Sequence, residues 1–143
     1  VMNGEVLIVD EHTGRILDVV CVRYWSDLAY TVQHAVLVDR YPSYRYVTIT
    51  TREPENEGKK VYIQDLVASG RIEEELGAPL DPDQTHVFLC GNPAMIGLPK
   101  WTDEGPVFPE ALGICQQLSE KGFTIDHRKD RGNVHYEEYW TDR

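Results

Sequence analysis

The pattern of apolar and polar positions predicts alternating strands and helices. Ile16 to Arg23 (ILDVVCVR) is β-branched and nearly continuous in apolar character, as a strand covered on both faces would be. Asp27 to Asp39 follows with Leu28, Val32, Ala35 and Val36 at near-helical spacing; Ser26 is available as an N-cap and Tyr41-Pro42 stops the run. This predicts a helix of about three turns. Arg45 to Thr50 (RYVTIT) alternates as a strand does, Tyr62 to Ser69 reads as a helix ending at Gly70, and Arg71 to Leu76 as a second short helix ending at Gly77. His86 to Cys90 (HVFLC) is the cleanest strand signal and is cut off by Gly91. Pro109 to Lys121 predicts a further helix closed by Gly122, and Phe123 to His127 a further strand. The order predicts an α/β fold: a parallel sheet with helices on both faces. Val6 to Asp10 (VLIVD) is either a strand or the end of an amphipathic helix, and the helix is preferred; Gly97 to Pro109, with its prolines and glycines, reads as an irregular loop.

Composition narrows the function classes. At 143 residues, with 41% hydrophobic residues, the length fits one domain covering 1–143. Lys plus Arg is 14 against Asp plus Glu 24, a net charge of −10 that repels phosphate backbones and anionic lipid headgroups. Neither nucleic acid nor membrane is therefore an expected partner. The apolar runs fall well short of the ~20 residues of a membrane span, and the first residues lack the basic flank of a secretion signal, so a cytoplasmic protein is expected. Cys21, Cys90 and Cys115 cannot all pair and are too widely separated for a zinc knuckle or a redox pair, and the histidines show no HxH or HxxxH spacing. No metal is expected.

Ligands of such sheets gather at the carboxyl ends of the strands. Those ends carry Arg23 and Tyr24, then Thr51, Arg52 and Glu53, then Cys90, Gly91, Asn92 and Pro93. In an acidic chain, Arg23 and Arg52, with Lys59 and Lys60 not far along, make a local cationic pocket suited to a phosphate. The competing reading pairs these arginines with Asp27, Glu53 or Glu55 on a solvated rim.

Four segments in order carry a resemblance: Thr51-Arg52-Glu53; Lys60 to Gln64 (KVYIQ); Leu89 to Met95 (LCGNPAM); and Tyr136 to Trp140 (YEEYW). Together they resemble the NADP-binding half of the ferredoxin NADP reductase family, over about Gly14 to Trp140. The resemblance implies a Rossmann-like domain that binds NADP and works with FAD, passing hydride between nicotinamide and flavin and electrons to a ferredoxin or flavodoxin. It implies that Arg23, Thr51, Arg52, Lys60, Tyr62 and Gln64 hold the 2′-phosphate and adenosine. Gly91, Asn92 and Pro93 would form the turn by the nicotinamide, with Cys90 near the carbon that exchanges hydride. Glu137 or Glu138 would supply the carboxylate beside that ring, and Trp140 would cover the flavin.

The residues suit these roles. A dianionic 2′-phosphate calls for planar, permanently charged donors such as Arg52, and an adenine calls for an aromatic face such as Tyr62. An NAD enzyme would rather place a carboxylate on the ribose; Glu53 is a candidate, but it is flanked by Arg52, so NADP is preferred. No GxGxxG loop occurs in the chain, and the family carries its glycine-rich loop on a first strand and its flavin on a separate β-barrel. The expectation is a domain lacking its first strand and belonging to a longer flavoprotein, inactive by itself. The alternative is a non-catalytic module binding a nucleotide or a partner through the same strand ends. A flavodoxin-like or receiver-like domain would instead place an acidic cluster there.

Overall fold

The computed structural model describes residues 2–139. Among them the chain runs β1 (Met2–Asp10), β2 (Arg15–Val22), α1 (Thr31–Arg40), β3 (Tyr44–Thr50), α2 (Ile63–Ala68), α3 (Arg71–Leu76), β4 (Thr85–Gly91), α4 (Pro93–Ile96), β5 (Lys100–Thr102), β6 (Gly105–Val107), α5 (Ile114–Glu120) and β7 (Val134–Glu138). The main sheet has the order β3-β2-β1-β4-β7. Its β2–β3 and β4–β7 pairs are parallel, while β1 is antiparallel to both β2 and β4. Four strands thus point one way, in the spatial order of a doubly wound sheet, and β1 fills the central slot in the opposite sense.

Val6 to Asp10 is therefore strand, which corrects the preference for helix. Its run VLIV puts Val6 and Ile8, each 1% exposed, into the core, and Leu7 and Val9 on the other face. Both of its edges find partners, from Val22 on one side and Gly91 on the other. Residues 10–15 close a hairpin: the Asp10 carboxylate accepts from the backbone N–H groups of His12 (3.0 Å) and Thr13 (3.1 Å), and Gly14 supplies the positive φ of 70° the turn needs.

The helices cover the two faces unequally. Side chains of α2, α3, α4 and α5 (Ile63, Val67, Ile72, Leu76, Met95, Ile96, Ile114, Leu118) join Val6, Ile8, Leu17, Val19, Val87, Leu89 and Val134 in one core. On the opposite face α1 lies beside β3 and buries none of its residues, leaving Val32 and Val36 exposed. A polar network lies beneath it. Tyr44 Oη donates to Asp18 Oδ2 at 2.9 Å, His34 Nδ1 stands 2.9 Å from the same hydroxyl, and the His34 ring stacks on Tyr46.

Four further boundaries differ from the sequence reading, the first being the helix expected from Asp27, which begins only at Thr31 with Tyr30, at φ 57°, and not Ser26 at its N-cap. Phe123 to His127 is not a regular strand: Ile125 and His127 make only isolated bridges, and the edge strand is β7. Phe123 and Ile125 still bury their side chains, but the chain turns at Asp126, which receives the Gly132 N–H at 2.7 Å. The helix expected from Pro109 begins only at Ile114, where Gly113 lies backbone to backbone against Gly97; a Cβ on Gly113 would come within 2.6 Å of Gly97 Cα. The expected loop before it contains the β5–β6 hairpin, whose Trp101 stacks on His127.

Candidate functional site

The β2–β3 ladder continues past the two strands, because Thr51 N–H donates to the Val22 carbonyl (3.1 Å) and Arg52 N–H to that of Arg23 (2.9 Å). This extension sets Arg23 and Arg52 side by side at the carboxyl end of the sheet. Asn56 then ties the following loop back, donating from Nδ2 to the Thr50 carbonyl at 2.9 Å and to its Oγ1 at 2.6 Å. The loop returns through Lys60 to α2, where Tyr62 N–H donates to the Asp65 carboxylate at 2.8 Å and starts the helix. From the third strand end, Asn92 caps α4 by accepting the Ala94 N–H at 2.8 Å, with Pro93 in the helix's first turn.

These segments enclose a cleft of about 360 Å³. Arg23, Thr51, Arg52, Lys60, Tyr62, Gln64 and Asn92, all singled out in the sequence, line it together. Cys21, Ile63 and Met95 form its apolar floor and were not anticipated as site residues; only the strand alternation that turns Cys21 inward with Val19 and Leu17 hinted at one of them. Gly4 of β1 makes room for Met95: it stands between Cys21 and Gly91 in register, and a Cβ there would meet Met95 Sδ at 2.5 Å.

The electrostatics favour an anion. Glu53 and Glu55, candidate partners for the arginines, are used elsewhere: Glu53 Oε1 accepts the Trp25 backbone N–H (2.7 Å) and Glu55 Oε1 its indole N–H (3.0 Å). Asp27, the third candidate, accepts the Tyr24 N–H at 3.1 Å and lies within electrostatic reach of Arg23, whereas the ion pairs among the described residues leave out Arg52 and Lys60. Gln64 adds an acceptor: its carbonyl receives the Gln117 side chain at 3.0 Å, while its own Oε1 is buried without a partner. Such an atom costs on the order of 1–3 kcal/mol until a donor reaches it.

Gly91, buried and at φ 125°, ends β4 one residue before Asn92; neither it nor Pro93 lines the cleft. The Cys90 side chain turns to the opposite face of the sheet. There it borders a second cavity of about 340 Å³ with Glu5, Leu7, Phe88 and Glu137. Its thiol is hydrogen-bonded to the Tyr139 hydroxyl; burial, outweighing that bond and aided by the charges of Glu5 and Glu137, pushes it above the usual thiol range, so it is a thiol rather than a thiolate. That bond to Cys90, reinforced by burial, moves Tyr139 up to about 12. Glu5 is pushed up to about 8, by burial first and then by its hydrogen bond to Asp18 and that residue's charge. Alternation along β7 separates the two glutamates: Glu137 faces Cys90, whereas Glu138 acts on the buried Cys115 thiol of α5. Trp140 lies outside the described residues. Among those residues no group of three or more His, Cys, Asp or Glu side chains could hold a metal ion, and no helix is long and apolar enough to cross a membrane.

Residues 5–99 match the family described as oxidoreductase NAD-binding domain. The flavodoxin/ferredoxin–NADP reductase of Escherichia coli (strain K12) is 36% identical over 75 residues, which is 52% of this chain and 30% of that protein. The enzyme of the same name from Buchnera aphidicola subsp. Schizaphis graminum is 32% identical over 79 residues, with the same shares. A solved ferredoxin NADP+ reductase from Neisseria gonorrhoeae, with bound FAD and NADP, shares the fold at a TM-score of 0.61 and 24% identity, over 85% of this chain and 43% of that one. The chain thus spans under a third of the length of these curated relatives.

Proposed function

The chain belongs to the oxidoreductase NAD-binding domain family, and from that membership we propose that it is the NADP(H)-binding unit of a flavoprotein of the ferredoxin NADP reductase type. The observation that carries the reading is the convergence of Arg23, Arg52 and Lys60 with Tyr62 in one cleft of a chain whose net charge is −10. Cations gathered at one strand end suit a dianionic 2′-phosphate, with Arg52 as its planar donor, Lys60 and Arg23 as further charge, the latter shared with Asp27, and Thr51 beside them. Tyr62 offers the adenine a face, and the unpartnered Gln64 Oε1 can accept from its exocyclic amine. Gly91, Asn92 and Pro93 let the backbone approach the ligand at the end of β4.

When bound, NADPH would be the hydride donor and FAD the acceptor, and the part of this chain's residues would be alignment. Cys90 and Glu137, joined at one cavity across the sheet edge from the cleft, are assigned to the nicotinamide end. Glu138, turned toward α5, is the weaker candidate for the carboxylate there, and Trp140 is assigned to cover the flavin. FAD would be held mainly by a part of the protein outside this domain, with ferredoxin or flavodoxin as electron partner and the cytoplasm as location. Calorimetric titration with 2′,5′-ADP and with 5′-AMP tests the reading. The expected result is at least about tenfold tighter binding of 2′,5′-ADP, the share of one charged hydrogen-bonded contact; equal affinities would refute the phosphate assignment.

A further inference from the structure

The loop that carries Arg52 also carries two carboxylates, Glu53 and Glu55. In an unconstrained loop either could fold back on the guanidinium, where a charge-assisted hydrogen bond would compete with a bound phosphate. Glu53 could also turn to a ribose diol, the contact that favours a coenzyme without the 2′-phosphate. The fold instead directs both carboxylates onto one residue, Trp25.

Two facing turns build that contact. On one side Asp27 N–H donates to the Tyr24 carbonyl at 2.9 Å and the Asp27 carboxylate accepts the Tyr24 N–H at 3.1 Å, so Trp25 is presented from a closed turn. On the other, Pro54 follows Glu53 into a turn closed by Asn56 N–H on the Glu53 carbonyl at 2.9 Å, and Asn56 Nδ2 fastens this turn to the Thr50 carbonyl. Trp25 opposite Glu53 keeps the register of Val22 with Thr50, but here a side chain closes the rung: Glu53 Oε1 accepts the Trp25 backbone N–H at 2.7 Å. Glu55 Oε1 accepts the indole Nε1–H at 3.0 Å.

Packing does not account for the indole. Trp25 is 44% exposed and lies outside the hydrophobic core, so its hydrogen bonds define what it does. Nor does it line the cleft. Asp27, the remaining carboxylate of this rim, acts on Arg23, which makes Arg52 the cation that gains from the removal of Glu53 and Glu55. On the reading that the cleft takes a 2′-phosphate, we propose that Trp25 is a specificity-determining positioning residue. Its backbone N–H engages Glu53 and its indole N–H engages Glu55, which withholds both carboxylates from Arg52 and from the ribose and keeps the cleft selective for the phosphorylated nucleotide.

Calorimetric titration of the 143-residue chain with 2′,5′-ADP and with 5′-AMP, repeated on Trp25→Phe, Glu55→Gln and the double variant, tests this role. Phenylalanine keeps a ring in place and removes the indole N–H, which releases Glu55. Trp25→Phe should lose about three- to fivefold in 2′,5′-ADP affinity, the worth of one exposed charge contact, with 5′-AMP unchanged. Adding Glu55→Gln to Trp25→Phe should restore the affinity, whereas Glu55→Gln alone removes a carboxylate already engaged and should change it by less than about twofold. Unchanged 2′,5′-ADP affinity in Trp25→Phe would overturn the proposal, as would a Glu55→Gln effect of equal size in both backgrounds. So would matched losses for the two nucleotides that Glu55→Gln does not repair, the mark of a loop merely loosened. A parent chain that binds the two nucleotides equally would instead remove the phosphate reading itself, and the role of Trp25 with it.

Discussion

Replacing Glu5 with glutamine should change how stability depends on pH. Glu5 shares a proton with Asp18 in the centre of the sheet, and its carboxyl is raised from 4.5 to about 8. The folded chain therefore keeps a proton that the unfolded chain releases between those values, and stability is lost as pH rises through that window. At about 1.36 kcal/mol per unit, the full linkage would be about 5 kcal/mol. Glu5 is only half-buried, so solvent screens much of this, and a loss of about 1–2 kcal/mol between pH 5 and pH 9 is expected. The side-chain amide introduced by Glu5→Gln can donate to Asp18 where the carboxylic acid did, without a proton to lose. Urea unfolding at pH 5, 7 and 9 should then give a flatter profile for Glu5→Gln, with the variant the more stable by about 1–2 kcal/mol at pH 9 and within about 0.5 kcal/mol of the parent at pH 5. Parallel profiles for the two chains would refute the shared proton.

Other outcomes rest on the cleft and on the packing around it. Arg52→Ala should weaken 2′,5′-ADP binding by about 1.5–3 kcal/mol and leave 5′-AMP nearly unchanged, as read by calorimetry. Gly113→Ala places a Cβ 2.6 Å from Gly97 Cα; because backbone cannot swing aside, urea unfolding should show a loss of about 1–3 kcal/mol. Cys90→Ala should cost this chain little stability, while in an assembled flavoprotein it should slow hydride transfer by roughly ten- to a hundredfold with coenzyme affinity retained, as read by stopped-flow absorbance.

Legibility in the sequence followed the range of the interactions. Arg71–Leu76 is helical to the residue because Gly70 and Gly77 bound it at positive φ, a local signal. The strand ending at Gly91 and the cations of the cleft were legible for the same reason: each depends on a short motif at a strand end. The direction of β1 was not, since VLIV suits a helix or a strand and only its two flanking ladders decide. The separation of Cys90 from the cleft, and of Glu137 from Glu138, depends on strand alternation, and a one-residue uncertainty in register reverses it. The contacts of Trp25 with Glu53 and Glu55 depend on the pairing of β2 with β3 and leave no spacing signature.

The central claim is that a 2′-phosphorylated adenine nucleotide binds at the carboxyl ends of β2, β3 and β4. Backbone amide NMR during titration with 2′,5′-ADP tests it most directly. The predicted result is saturable shifts concentrated at Arg23, Thr51, Arg52, Lys60, Gln64 and Asn92, with His86 and His135 unmoved. Shifts centred on the opposite face, or none at millimolar ligand, would contradict the account.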